Sequence, residues 1–284
     1  MHSNLVRLHL VVVIFAFTAI LGKLISAELP TSLLVFYRMV IACAGLYVYV
    51  RIRRRNLAVS RRIAMGYLGV GGLVALHWIF FFHAIKVSNV SVTLGCFASA
   101  AFFTSLLEPL ITRGRYSRLN IILSVVAMSG LYMIFRFELT YVEGMVLSLL
   151  SALLAGLFTV INKKMVSHGQ PLVMSFYEML GGAVVLGLYN LYTGSWMVPA
   201  GTDLIYLLIL GLVCTSVAFV MSIDVMKTLS AFQVSMTVNL EPVYGILLAV
   251  MIFGDSEWMS PGFYAGAAIV LLAVLVHPWL EKLG

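Results

Sequence analysis

The chain has 284 residues, 62% of them hydrophobic and only 10% charged, with a net charge of +7 and a pI near 9.4. Soluble domains carry about 25% charged residues, so a soluble enzyme and a singly anchored soluble domain are both excluded. The basic balance orients the chain in a membrane and calls for no nucleic-acid partner, because the positive residues cluster between alternate apolar stretches.

Apolar stretches of about 20 residues, enough to cross a hydrocarbon core, recur at roughly 5–27, 32–50, 63–85, 89–112, 119–136, 144–162, 172–193, 203–223, 231–252 and 262–279. No interval between them can hold a soluble domain. The first resembles a signal peptide, with Ser26-Ala27 before Glu28, but it exceeds a typical h-region and is read as a retained helix. With the N-terminus inside, the inner segments hold Arg7, the run Arg51 to Arg62, Arg113, Arg115, Arg118, Lys163, Lys164, Lys227 and Lys282. The outer ends keep Lys23, Lys86 and Arg136 among six acids. That asymmetry predicts a multi-pass protein of the cell (inner) membrane with both termini cytoplasmic. Cys43, Cys96 and Cys214 fall inside spans without metal-ligand spacing, so no metal site and no cofactor are expected.

Five spans per half is an odd number, so a duplicated chain would carry its second half inverted. Traces of duplication are present. FYRM (Phe36 to Met39) returns as FYEM (Phe176 to Met179) 140 positions later, and Lys86 of AIKVSNVSV matches Lys227 of VMKTLSAFQV at 141. The expectation is an all-α integral membrane protein of ten transmembrane helices in two inverted five-helix repeats, 1–137 and 138–284.

The stretch from Thr228 to Asp255 carries Glu241 and Pro242 near its middle. A carboxylate at the centre of a bilayer costs about 2.5–3.5 kcal/mol on insertion scales and should face protein or water. The proline after it lacks a backbone N–H and disturbs the carbonyl near Val238, which predicts a kinked or broken helix with Pro242 as hinge. Glu108-Pro109 looks like its partner, yet the 141 offset equates Glu241 with Ala100 and sends Glu108 to Ala249. Glu108 should lie near the cytoplasmic interface with a different role.

The ten-span plan, AIKVSNVSV leading into FFTSLLEPL, and VMKTLSAFQVSMTVNLEPVYGILLAVMIFGD resemble the EamA family of the drug/metabolite transporter superfamily. In that family the fourth and ninth spans share a P-x-x-x pattern ending in G-E. Here the second half keeps Pro242 and ends Gly254-Asp255, whereas the first half has Ala101 and Arg113-Gly114-Arg115, so the resemblance leaves the two hinges unequal. It implies a central cavity lined by spans one, three, four, six, eight and nine, worked by alternating access.

The candidate substrate or coupling residues are Glu241, His77, Trp78, Ser99, Thr215 and Ser216. Glu241 could carry a proton or bind substrate, or it could lock spans four and nine together. His77, about 21 Å into its helix, could relay a proton or simply bridge helices, with Trp78 and the Phe80–Phe82 run packing beside it. Ser99, Thr215 and Ser216 could bind substrate or bond helix to helix. Arg38 and Glu178 occupy equivalent repeat positions from opposite faces; each should snorkel to its own interface, serving structure, with Glu178 a weaker gating candidate. Gly262-x-x-x-Gly266 permits close helix packing or a homodimer. No phosphate-binding G-x-x-x-x-G-K-[ST] and no H-E-x-x-H is present, so no enzyme activity is expected.

The reading is a secondary active exporter of small organic metabolites such as amino acids, with coupling to protons through Glu241. An importer or facilitative exchanger of similar metabolites fits the same residues. A membrane-embedded lipid flippase or transferase subunit is the rival from another class, disfavoured because Glu241 and His77 lie at different depths.

Overall fold

The structure, a computed structural model, describes residues 2–199 and 201–280. It is all helical among those residues: α1 (His2–Leu24), α2 (Thr31–Ile52), α3 (Arg61–Val87), α4a (Val90–Phe97), α4b (Ala100–Thr112), α5 (Arg118–Phe137), α6 (Val142–Val166), α7 (Pro171–Thr193), α8 (Thr202–Val225), α9a (Ala231–Val238), α9b (Glu241–Phe253) and α10 (Pro261–Leu280). Among the described residues nine spans are long and apolar enough to cross a membrane, and α10 completes the set of ten. Lys282, counted among the inner charges, lies outside the described residues.

Local chemistry sets the helix starts. Ser60, Asn89, Ser117 and Ser230 each accept a hydrogen bond from the backbone N–H three residues on, satisfying a donor that the first turn leaves free. Ser230 and Gln233 cap each other reciprocally. Gly194, at φ +66°, ends α7 in a left-handed turn.

Packing displays the inverted repeat. Helix α3 lies on α6 and α7, and its counterpart α8 lies on α1 and α2; α2 meets α7 and α5 meets α10 across the pseudo-two-fold. The broken pair proves the inversion, since α4a packs on α9b and α4b on α9a, an antiparallel crossing of equivalent helices.

Two contacts are backbone on backbone. A Cβ on Gly71 would strike the carbonyl group of Glu178, and one on Gly181 would strike that of Leu68, so α3 and α7 touch with no side chain between them. The Gly262-x-x-x-Gly266 motif is used within the chain: a Cβ on Gly266 would meet the Gly130 carbonyl oxygen of α5 at 2.5 Å.

Candidate functional site

The site begins at the two broken helices. The first breaks between Phe97 and Ala100, the second between Val238 and Glu241, each boundary displaced by the 141 residues that separate Lys86 from Lys227. Pro242 sits at the start of α9b, where its missing N–H does no harm. Its equivalent in α4b is Ala101, and α4 breaks all the same. The inequality of the hinges expected from the missing proline is therefore corrected: the break belongs to the crossing. Asn239 Nδ2 donates to the Ala98 carbonyl at 2.6 Å, joining residues that are themselves equivalent, and Ser99 Oγ donates to Cys96 O at 2.8 Å.

Crossed carboxylates tie the ends of the pair. Glu108 accepts from the N–H groups of Ala231 and Phe232 (3.0 and 2.9 Å) at the start of α9a. Glu257 accepts from Val90 and Ser91 (3.1 and 2.8 Å) at the start of α4a, and from Lys23 Nζ at 2.6 Å. Charge at a helix N-terminus satisfies free donors and the macrodipole together. Glu108 thus caps α9a at one end of the crossing, and Glu257 does the same work for α4a at the other end.

Between these ties lies a cavity of about 90 Å³, enough to hold several waters. Thr18, Arg38, His77, Thr159 and Glu241 supply polar groups to it, and Trp78, Phe158 and Phe219 supply aromatic walls. Thr18 and Thr159, and Trp78 and Phe219, are again pairs 141 apart, so the cavity straddles the pseudo-two-fold axis. Spans one, three, four, six, eight and nine line it as the resemblance implied, with span two added through Arg38.

Arg38 overturns its expected role. It is only 1% exposed and does not snorkel outward. Its Nε donates to Thr215 Oγ1 at 2.6 Å, its guanidinium carbon stands 3.8 Å from the centre of the Trp78 ring, and Nη1 has no protein partner. Thr215 is held by a π-helical turn, Leu212–Val217, in which its hydroxyl donates five residues back to Leu210 O at 2.7 Å; such turns are frequent at functional sites. The turn aims Thr215 at Arg38, and stacking on Trp78 fixes the plane of the guanidinium.

Glu241 lies in the first turn of α9b, 4% exposed, and its carboxyl has no hydrogen bond or ion pair among the described residues. No ion pair within 4.0 Å joins it to Arg38. His77 Nδ1 lies 2.9 Å from Ser151 O and 2.8 Å from Ser151 Oγ, which bridges α3 to α6, while the ring also faces the cavity. The helix bridge is therefore present, and the ring is placed at the cavity as well.

Three candidates sit elsewhere. Ser99 is spent at the helix break. Thr215 supports Arg38 from behind. Ser216 donates to Ala42 O and Gly211 O and lines a lateral groove between α2 and α8. Glu178, expected to snorkel inward, is fully buried against Asn162 of α6.

The profile of the EamA-like transporter family matches residues 5–136 and again residues 142–277. The chain belongs to that family. Two relatives of this EamA-like chain, each described as an uncharacterized transporter, come from Clostridium kluyveri and Bacillus subtilis. Each is 21% identical over 226 residues, 75% of the chain and 72% or 68% of the relative. A crystal structure of 17% identity superposes with a TM-score of 0.74 over 99% of both chains, which shows a shared fold. Membership makes the chain a multi-pass transporter.

Sequence reasoning missed Arg38, Thr18 and Thr159 as cavity residues. The signal was available: the 141 offset pairs Thr18 with Thr159, and Arg38 is the one arginine inside the second span.

Proposed function

We propose that this EamA-like protein is a secondary active exporter of zwitterionic metabolites such as amino acids, working by alternating access about the α4–α9 crossing. The carrying observation is that Arg38 and Glu241, of opposite charge, line one buried cavity without pairing with each other. A guanidinium with an open Nη1 suits a carboxylate, and an unpartnered carboxyl suits an ammonium. Two buried charges so placed are costly until a ligand bridges them. The aromatic walls favour an apolar side chain between the two ends.

The cavity is small, and Glu108 and Glu257 tie the two ends of the crossing that the cycle would have to rearrange. Glu241 also gives the cycle a proton carrier, since the empty carrier can return with the carboxyl protonated in place of bound ammonium. The halves that move are the repeats 1–137 and 138–284, in an inner membrane with both termini cytoplasmic. No enzyme chemistry, metal or cofactor enters this reading.

The test is substrate counterflow in liposomes for Glu241→Gln and Arg38→Lys, with amino acids, their amides and their N-acetyl forms competing. Loss of competition when either the carboxylate or the ammonium is blocked is the expected result. Competition that ignores both ends would overturn the zwitterion reading, and unaltered gradient-driven transport in Glu241→Gln would remove Glu241 from coupling.

A further inference from the structure

Among the described residues five buried side-chain atoms find no hydrogen-bond partner: Thr18 Oγ1, Arg38 Nη1, Asn162 Oδ1, Ser175 Oγ and Glu178 Oε1. They fall in two places. The first two belong to the central cavity. The other three stand together where α6, α7 and α3 meet, a region that substrate recognition leaves unused.

We propose that Glu178, with Asn162 and Ser175, is a second proton-binding site, whose neutral form lets the cytoplasmic half of the bundle close. Glu178 is fully buried, and its one side-chain hydrogen bond is a 3.2 Å contact from Asn162 Nδ2 to Oε2. Among the described residues no cation lies within 4.0 Å of it. Ser175 is one helical turn before it on the same face, so its hydroxyl is close at hand to serve the protonated acid. A single neutral amide is poor compensation for a carboxylate taken out of water, whereas one added proton removes the charge without needing room. Four side-chain oxygens, one of them already accepting from Asn162, are too few to replace the hydration shell of a metal ion.

The position explains the consequence. Glu178 is seven residues into α7 from Pro171, about 10 Å from the cytoplasmic end. Its own backbone carbonyl is the group that Gly71 of α3 touches without an intervening side chain. The carboxyl is thus carried by the residue at the tight α3–α7 contact, and hydrating it works against that contact. Protonated, the site sits dry and the helices stay together; ionised, it draws water in and opens the inner face.

The surrounding titratable groups do not offset that charge. Tyr67 of α3 is buried within range of it. Lys163 of α6 is turned to Met226 O at 2.6 Å, Asp224 of α8 is held by Arg7 and Lys227, and Arg38 of α2 is held at Thr215.

The experiment uses the full chain in detergent, without substrate, so its outcome is independent of the zwitterion reading; only the link to inner-face closure rests on alternating access. Thermal midpoints are measured from mildly acid to mildly alkaline pH for the wild type, Glu178→Gln and Glu241→Gln. The wild type should lose several degrees as pH rises. Glu178→Gln, a copy of the neutral acid, should remove a large part of that slope, and Glu241→Gln, which leaves Glu178 in place, should retain the part that Glu178 supplies. An unchanged slope in Glu178→Gln overturns the site, as does sodium alone restoring the wild-type midpoint at alkaline pH. Should Glu178→Gln fail to fold, infrared spectra of the Glu241→Gln protein decide. A protonated carboxyl band that fades at alkaline pH supports the site, and absence of the band refutes it.

Discussion

Replacing Glu257 by glutamine tests whether the crossed carboxylates are the ties that close the α4–α9 pair. The side chain is fully buried and meets Lys23 Nζ at 2.6 Å, Val90 N at 3.1 Å and Ser91 N at 2.8 Å. Glutamine keeps one acceptor oxygen, so one of the two N–H groups opening α4a loses its partner, at about 1–2 kcal/mol. The ion pair is lost as well. A wholly buried pair broken on one side costs about 3–5 kcal/mol, but the Lys23 side chain is 25% exposed and can turn to water, which brings this term down to about 1–2 kcal/mol. The sum is roughly 2–4 kcal/mol, which for a chain of this size lowers the thermal midpoint by about 5–10 °C. Glu108 makes the equivalent pair of bonds to Ala231 and Phe232 with no cation within 4.0 Å among the described residues, so Glu108→Gln should lose only about 1 kcal/mol, or 2–4 °C. Thermal unfolding of purified protein, with Lys23→Met and the Lys23→Met/Glu257→Gln double variant, completes a cycle in which the double variant falls short of the sum. Equal losses at Glu108 and Glu257, or strict additivity with Lys23, would refute the argument.

Gly71→Ala should cut the yield of folded protein, because its Cβ meets the Glu178 backbone and overpacking costs about 1–3 kcal/mol or more. Gly72→Ala, with nothing within 4 Å, should be silent in the same size-exclusion assay. Asn239→Leu leaves the buried Ala98 carbonyl unpartnered, so thermal unfolding should show a loss of about 1–3 kcal/mol. Pro242→Ala should keep transport within a few-fold of wild type in the counterflow assay, because the first repeat breaks its helix with Ala101 in that place. Reporter fusions should place both termini in the cytoplasm; either one outside would undo the proposed orientation.

The bilayer makes much of this protein legible in one dimension. Hydrocarbon admits backbone only as hydrogen-bonded helix, so apolar length alone yields the ten spans. Likewise the 141-residue offset between Lys86 and Lys227 places Glu241 opposite Ala100, where the structure has both helix breaks. What lay beyond the sequence was set by groups far apart along it. The break at Ala98 depends on Asn239, 141 residues away, and not on a proline beside it. Arg38 read as a snorkelling anchor because depth along its own helix is all that spacing reveals. Only the rotation of α2 toward α8, with Thr215 projected by a π-helical turn and Trp78 stacked beneath, turns its guanidinium inward to the cavity. Ser99, Thr215 and Ser216 had the right chemistry and depth, but Ser99 and Thr215 donate to carbonyls three and five residues back along their own spans, and Ser216 reaches Ala42 of α2.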